Sequence, residues 1–204
     1  GASLLLVLVF GFLVMLLVAM VFPYYLGRKG IPVTHPARRI LLAFFTLTAL
    51  NFIVLAFMAL MSATLGWSPA SWPMILGVVA AIAAVGAATY QFFHVTFGRK
   101  IGGIFAAGLF ALGVMVFGGV WPVAAIPRPL SIMHSFHPMT YAKDAFTRAT
   151  DGIHDATFWT GMAALLGFTL IALFASYMVF RARHLGTAKI LDEHLVRSPA
   201  AVAA

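Results

Sequence analysis

Five stretches of this chain carry no charged residue at all: 1–26, 40–65, 72–97, 101–125 and 157–180. Each reaches the length of about 20 residues that a helix needs to cross ~30 Å of hydrocarbon. None has a proline in its middle. In lipid a helix satisfies its own backbone. A barrel strand would alternate polar and apolar side chains with period two, and a run such as LLLVLVFGFLVMLLVAMVF does not. Of the 204 residues 63% are hydrophobic and 9% charged, with a mean hydropathy of +1.03. A water-soluble domain cannot build a polar exterior from that composition, and a disordered chain is excluded by the same numbers. There is no cysteine, which rules out disulfides, thiolate metal sites and cysteine nucleophiles. The expected fold is therefore an all-α integral membrane protein. It has five transmembrane helices, a transmembrane domain over 1–183 and a cytoplasmic tail, a short helix, over 184–204.

Charge sets the expected orientation. Arg28, Lys29, Arg38 and Arg39 lie between the first two spans, Arg99 and Lys100 between the third and fourth. Arg181, Arg183, Lys189 and Arg197 follow the fifth, so ten of the 13 cations fall on one side. The positive-inside rule makes that side cytoplasmic, with the amino end outside and the carboxyl end inside. Arg128, Lys143 and Arg148 on the other side are offset by Asp144, Asp151 and Asp155. All four tryptophans, Trp67, Trp72, Trp121 and Trp159, fall at the outer boundary, where an interfacial belt belongs. The chain opens inside a span without the basic start of a signal peptide. A further upstream span, with an external domain between it and Gly1, is the expectation that follows.

Small residues recur every four positions in the third span (Ala80, Ala84, Ala88, beside Gly77 and Ala81) and in the fourth (Gly103, Ala107, Ala111, beside Gly102 and Ala106). Such rows let helix backbones approach closely in lipid; lining a substrate groove is the alternative. Asn51 is the one strongly polar side chain deep in a span, and an interhelical hydrogen bond is expected for it ahead of a place on a transport path. Gln91 and His94 fall near the inner end of the third span and read as interfacial. The basic pairs Arg28–Lys29 and Arg38–Arg39 read as topology signals and as contacts for anionic lipid or a partner protein.

The segment 118–156 carries the most information. Gly118 and Gly119 loosen the end of the fourth helix, and Pro122, Pro127 and Pro129 forbid its regular continuation. After Pro138, Tyr141, Ala142, Ala145, Phe146 and Ala149 recur at helical spacing, with Thr140, Lys143, Asp144, Thr147, Arg148 and Asp151 on the other face. Asp144 and Arg148, four apart, are placed to pair. This reads as an external element that dips at the surface, followed by an amphipathic helix lying on it.

The run GGVWP, then PRP, then HSFHPMTYAKDAF resembles the last third of phage infection protein (YhgE/Pip) family members. It also resembles the wider type-2 ABC export permease membrane domain. The positions that carry the resemblance are Gly118, Gly119, Pro122, Pro127, His134, Pro138, Met139, Thr140, Tyr141 and Asp144, with Trp121 and Arg148 in the same stretch. The resemblance implies a re-entrant external segment acting as a gate, a sixth span upstream and a homodimer or larger membrane complex. Permeases of that kind export a lipid, polymer or peptide, driven by a separate ATPase subunit. Here the first cytoplasmic loop, GRKGIPVTHPARR, leaves little room between Pro32 and Pro36 for the helix that would couple to such an ATPase.

Catalytic readings are weak. His134, His137, His154 and Asp155 share the external segment, but no glutamate accompanies the H-x-x-H pair and Pro138 follows at once. Ser131 or Ser135 with His134 and Asp144 lacks a nucleophile elbow. No phosphate-binding glycine loop is present. No cofactor, metal, nucleic-acid partner or enzymatic activity is expected. The function expected is a membrane subunit of the export-permease kind in a bacterial cytoplasmic membrane. The alternative is a non-transporting scaffold that anchors an external domain or a secretion or envelope complex.

Overall fold

The computed structural model describes residues 36–113, 116 and 127–197. They form five helical elements and no strand: α1 (Pro36–Thr64), α2 (Trp72–Leu112), α3 (Arg128–His134), α4 (Pro138–Asp151) and α5 (Ala156–Arg197). Three stretches are long and apolar enough to cross a membrane, Ala37–Thr64, Trp72–Gly98 and Ala156–Arg183, and Lys100–Leu112 is a shorter apolar helix. They mark a membrane protein. The first expected span, 1–26, lies outside the described residues, and the fourth is described only in its first half. Two boundaries differ from the sequence reading. Helix α1 begins at Pro36, whose fixed φ suits a first turn, and α5 runs unbroken to Arg197 with no separate tail helix.

Helix α2 is two limbs joined at Gly98, whose φ of 79° and ψ of 178° belong to a region open essentially to glycine alone. That one residue reverses the chain, so Lys100–Leu112 folds back along Trp72–Gly98. Gly102 sits hard against the Phe93 carbonyl, where a β carbon would overlap it. The rings of Phe93, Phe97 and Phe105 stack over the bend, with centroids 4.8–6.2 Å apart. Further along, Val85, Gly86 and Thr89 share a crevice with Leu109 and Phe110, which fixes the antiparallel register of the two limbs. Of the small-residue rows, Gly102 and Ala106 turn into this contact, and Ala81 and Ala88 are buried in the core; Gly77 faces open space.

The long limb of α2 is the centre of the bundle. Its most apolar stretch is 56% buried, against 28% for α1 and 17% for α5, and both of those pack chiefly on it. Helix α1 offers Ile40, Phe44, Leu47, Asn51, Leu55, Ala59 and Ser62, spaced three and four apart along one face. Its other face exposes Phe45, Ile53, Phe57 and Leu60, and α5 exposes Leu166, Leu170, Ile171 and Phe174. A helix apolar all round has no polar face to give to water. Each such side chain forgoes up to roughly 1.5–3 kcal/mol when left in water, so lipid is the surrounding these helices require.

The two ends of the bundle differ in chemistry. At one, the Arg39 guanidinium lies 5.7 Å from the Phe180 ring centroid, and Arg183 donates to the Thr96 carbonyl at 2.6 Å. Lys100 is beside the Gly98 bend at the same end, and Arg38, Arg39, Lys100 and Arg181 are exposed. At the other end Trp67 packs edge-on against Trp72 and stacks on Phe146 of α4, and Trp159 is exposed at the start of α5. The contacts put these two sets of residues at opposite ends of the bundle.

Candidate functional site

The described part of the expected external segment, 127–156, folds as two short helices and a turn held by side chains. Pro127 precedes α3, whose first-turn amides Leu130 and Ser131 donate to its carbonyl. After His134 the chain turns through Ser135, Phe136 and His137, and Pro138 opens α4 at a position where its missing N–H costs nothing. Thr140 Oγ1 donates to the His134 carbonyl at 2.8 Å, and the Tyr141 hydroxyl donates to the Ser135 carbonyl at 2.8 Å. The Pro-Met-Thr-Tyr run is therefore a turn lock: two adjacent hydroxyls reach back six residues each and bind the carbonyls that end α3. Thr140 is buried, which corrects its assignment to the polar face; the helical period put it there, but the turn folds over it.

His137 joins the turn to the membrane helices. Its Nδ1 accepts the Met139 amide at 3.1 Å and so caps α4. Its Nε2 lies 3.1 Å from the Leu109 carbonyl at the end of the short limb of α2. An amide facing Nδ1 and a carbonyl facing Nε2 fix the neutral tautomer with the proton on Nε2. The ring is 4% exposed and lies against Gly113, where a β carbon would overlap Cε1. Burial pushes the His137 pKa below 6.5 and the nearby His134 pushes it the same way, opposed by the Leu109 hydrogen bond. Both ring nitrogens are engaged, so neither is open to a metal ion.

Helix α4 buries Met139, Thr140, Ala142, Ala145, Phe146 and Ala149 against α2 and α5. Gly161 of α5 admits this close approach, with the Ala145 β carbon and the Tyr141 carbonyl 3.0 Å from where its own β carbon would be. Gly152 ends the helix in the left-handed conformation with φ of 70°, and Ile153 N–H closes on the Arg148 carbonyl at 2.9 Å. Ala70 N–H donates to the Thr150 carbonyl at 2.9 Å and ties the loop after α1 to the same end.

Arg148 does not pair with Asp144, as their spacing suggested. Its Nε lies 3.3 Å from Asp155 Oδ2, while Asp155 Oδ1 accepts the Phe158 amide at 2.9 Å and caps α5. The cap fixes Asp155 where the Arg148 side chain reaches it, and a fixed partner outcompetes the i, i+4 alternative. Asp144 is half-buried.

Among the other sequence-stated residues, Asn51 is 2% exposed and donates from Nδ2 to the Ala83 carbonyl at 3.3 Å, the interhelical bond expected of it. Gln91 is buried and donates to the Ile40 carbonyl at 3.1 Å, a second polar tie between α1 and α2. Gly118, Gly119, Trp121, Pro122, Arg28 and Lys29 lie outside the described residues. His154 is exposed, with its ring 5.9 Å from that of Phe158. The sequence reading missed the contact roles of Gly98, Gly113 and Gly161 and the capping roles of His137 and Asp155. Asp155 immediately before an apolar run, and His137 immediately before a proline, were the available signals.

No protein-family model, curated protein or solved structure matches this chain.

Proposed function

We propose that the chain is the membrane subunit of an export system of the type-2 ABC permease kind, resembling the phage infection protein family, in a bacterial cytoplasmic membrane. The observation that carries the reading is the turn lock. Thr140 and Tyr141, two residues of the motif behind the resemblance, spend their hydroxyls on closing the α3–α4 turn. A segment built this way is a preformed lid, in keeping with a gate at the outer face for a lipid, polymer or peptide. The basic end then faces the cytoplasm and meets anionic headgroups through Arg38, Arg39 and Arg181. Homodimer formation and a separate ATPase belong to the same reading.

The test is export in the parent cell. A deletion strain is complemented with the wild-type chain or with Thr140→Val/Tyr141→Phe, and lipid, polysaccharide and peptide passage to the outer face is followed. Loss of one class of export on deletion, and failure of the double variant to restore it while it accumulates normally, supports the permease. Unchanged passage of all three classes, with disturbed assembly of an envelope complex, supports a non-transporting scaffold instead.

A further inference from the structure

The His137 ring bridges two elements through both its nitrogens, and one of those bonds needs a bare nitrogen. Met139 N–H points at Nδ1 from 3.1 Å, while the Leu109 carbonyl takes the proton on Nε2 at 3.1 Å. We propose that His137 is a proton-operated latch on α4: neutral, it caps the first turn of that helix, and protonated, it lets the turn go while keeping the Leu109 carbonyl. A second proton goes on Nδ1, where it meets the Met139 N–H head-on, so the cap is lost and two donors face each other. The imidazolium also stands at the amino end of α4, the positive end of the helix dipole. The ring lies alongside Gly113, with no room for a β carbon between them. Relief comes from the Met139 amide and the first turn of α4 moving off the ring, since the charged Nε2–H holds the Leu109 carbonyl more tightly.

The surroundings favour the neutral ring. From α2 the crevice offers Ile82, Val85, Gly86, Thr89, Leu109 and Phe110, and from α4 Pro138, Met139 and Ala142, none of which titrates. Among the described residues none of α5 lines it. His134, the last residue of α3, also acts on His137, and its charge opposes a second one. Lys143 and Asp144, the next charged residues of α4, do not line the crevice. The lowered pKa follows from this burial, so the sign is set. The closed form is held in full above pH 6.5 and weakens as pH falls through the depressed value. The latch is independent of whether the chain transports anything.

Hydrogen–deuterium exchange of the full-length protein in phospholipid nanodiscs tests it, from pH 7.5 downward with rates corrected for intrinsic chemistry. Below the His137 midpoint the amides of the first turn of α4 should exchange about fivefold faster, the change that loss of one N-cap brings. The α1–α2 contact around Asn51 should not change. In His137→Asn, whose side chain caps without titrating, the pH effect should vanish. Equal exchange on both sides of the His137 midpoint in the wild type, or the same acceleration in His137→Asn, overturns the latch. Nitrogen-15 spectra of the wild-type histidines give a reading that does not need the variant. A depressed His137 midpoint coincident with the acceleration supports the latch, and a midpoint passed without any acceleration refutes it.

Discussion

Gly113 lies against the His137 ring so closely that a β carbon would overlap Cε1. The close approach lets a histidine on an external turn reach the carbonyl of Leu109 on a membrane helix. Gly113→Ala should therefore destabilise the protein by ~1–3 kcal/mol, the usual cost of forcing an atom into a packed site. Gly77→Ala, where nothing lies within 4 Å of the added carbon, should cause no loss. Thermal unfolding in detergent, followed by circular dichroism, separates the two variants.

The reversal at Gly98 depends on a backbone conformation that a side chain forbids. Gly98→Ala should cost ~1–3 kcal/mol. Asn should serve no better than Ala, because the φ and ψ of this residue lie outside the left-handed helical region that Asn tolerates. Unfolding of both variants in bicelles, each compared with the wild type, checks the order.

Asn51→Leu removes one hydrogen bond to the Ala83 carbonyl, and intramembrane bonds of this kind are worth ~0.6 kcal/mol on average. The loss should be small. Asn51→Asp puts an ionisable carboxyl at the same buried position and should be far more costly. Reversible unfolding in mixed micelles measures both, and equal losses would contradict the assigned environment.

Asp155 joins two helices with its two oxygens. Asp155→Asn keeps an acceptor for the Phe158 amide and loses the charge facing Arg148, whereas Asp155→Ala loses both. The alanine variant should lose ~1 kcal/mol, chiefly the cap, and the asparagine variant much less. A double-mutant cycle with Arg148→Ala isolates the ion pair, for which a coupling below ~1 kcal/mol is expected at this exposure.

The division between what was legible and what was not is physical. Charge-free runs announce helices because the length of a lipid crossing is a global constraint; 72–97 and 157–180 lie inside α2 and α5. The amphipathic period of α4 was equally plain, down to the burial of Ala142, Ala145, Phe146 and Ala149. The Asn51 bond was legible because an amide deep in lipid must find a partner, although the sequence did not say that Ala83 supplies it. What failed was anything decided by approach distance. The burial of Thr140 and the turn of Arg148 to Asp155 both depend on which backbone lies alongside. Periodicity carries no such information. Glycines gave the same difficulty: the row of Gly102 and Ala106 suggested packing, but the contact of Gly113 with His137 follows only from the fold of the hairpin.

The central claim is that lipid surrounds these helices, with the turn lock on one side and the basic end on the other. The chain has no cysteine, so single cysteines report without background. Lys143→Cys and Lys100→Cys, in sealed cells and in inverted vesicles, should react with a membrane-impermeant maleimide from opposite sides, Lys143→Cys from outside and Lys100→Cys from inside. Labelling of both positions from the same side would contradict the account.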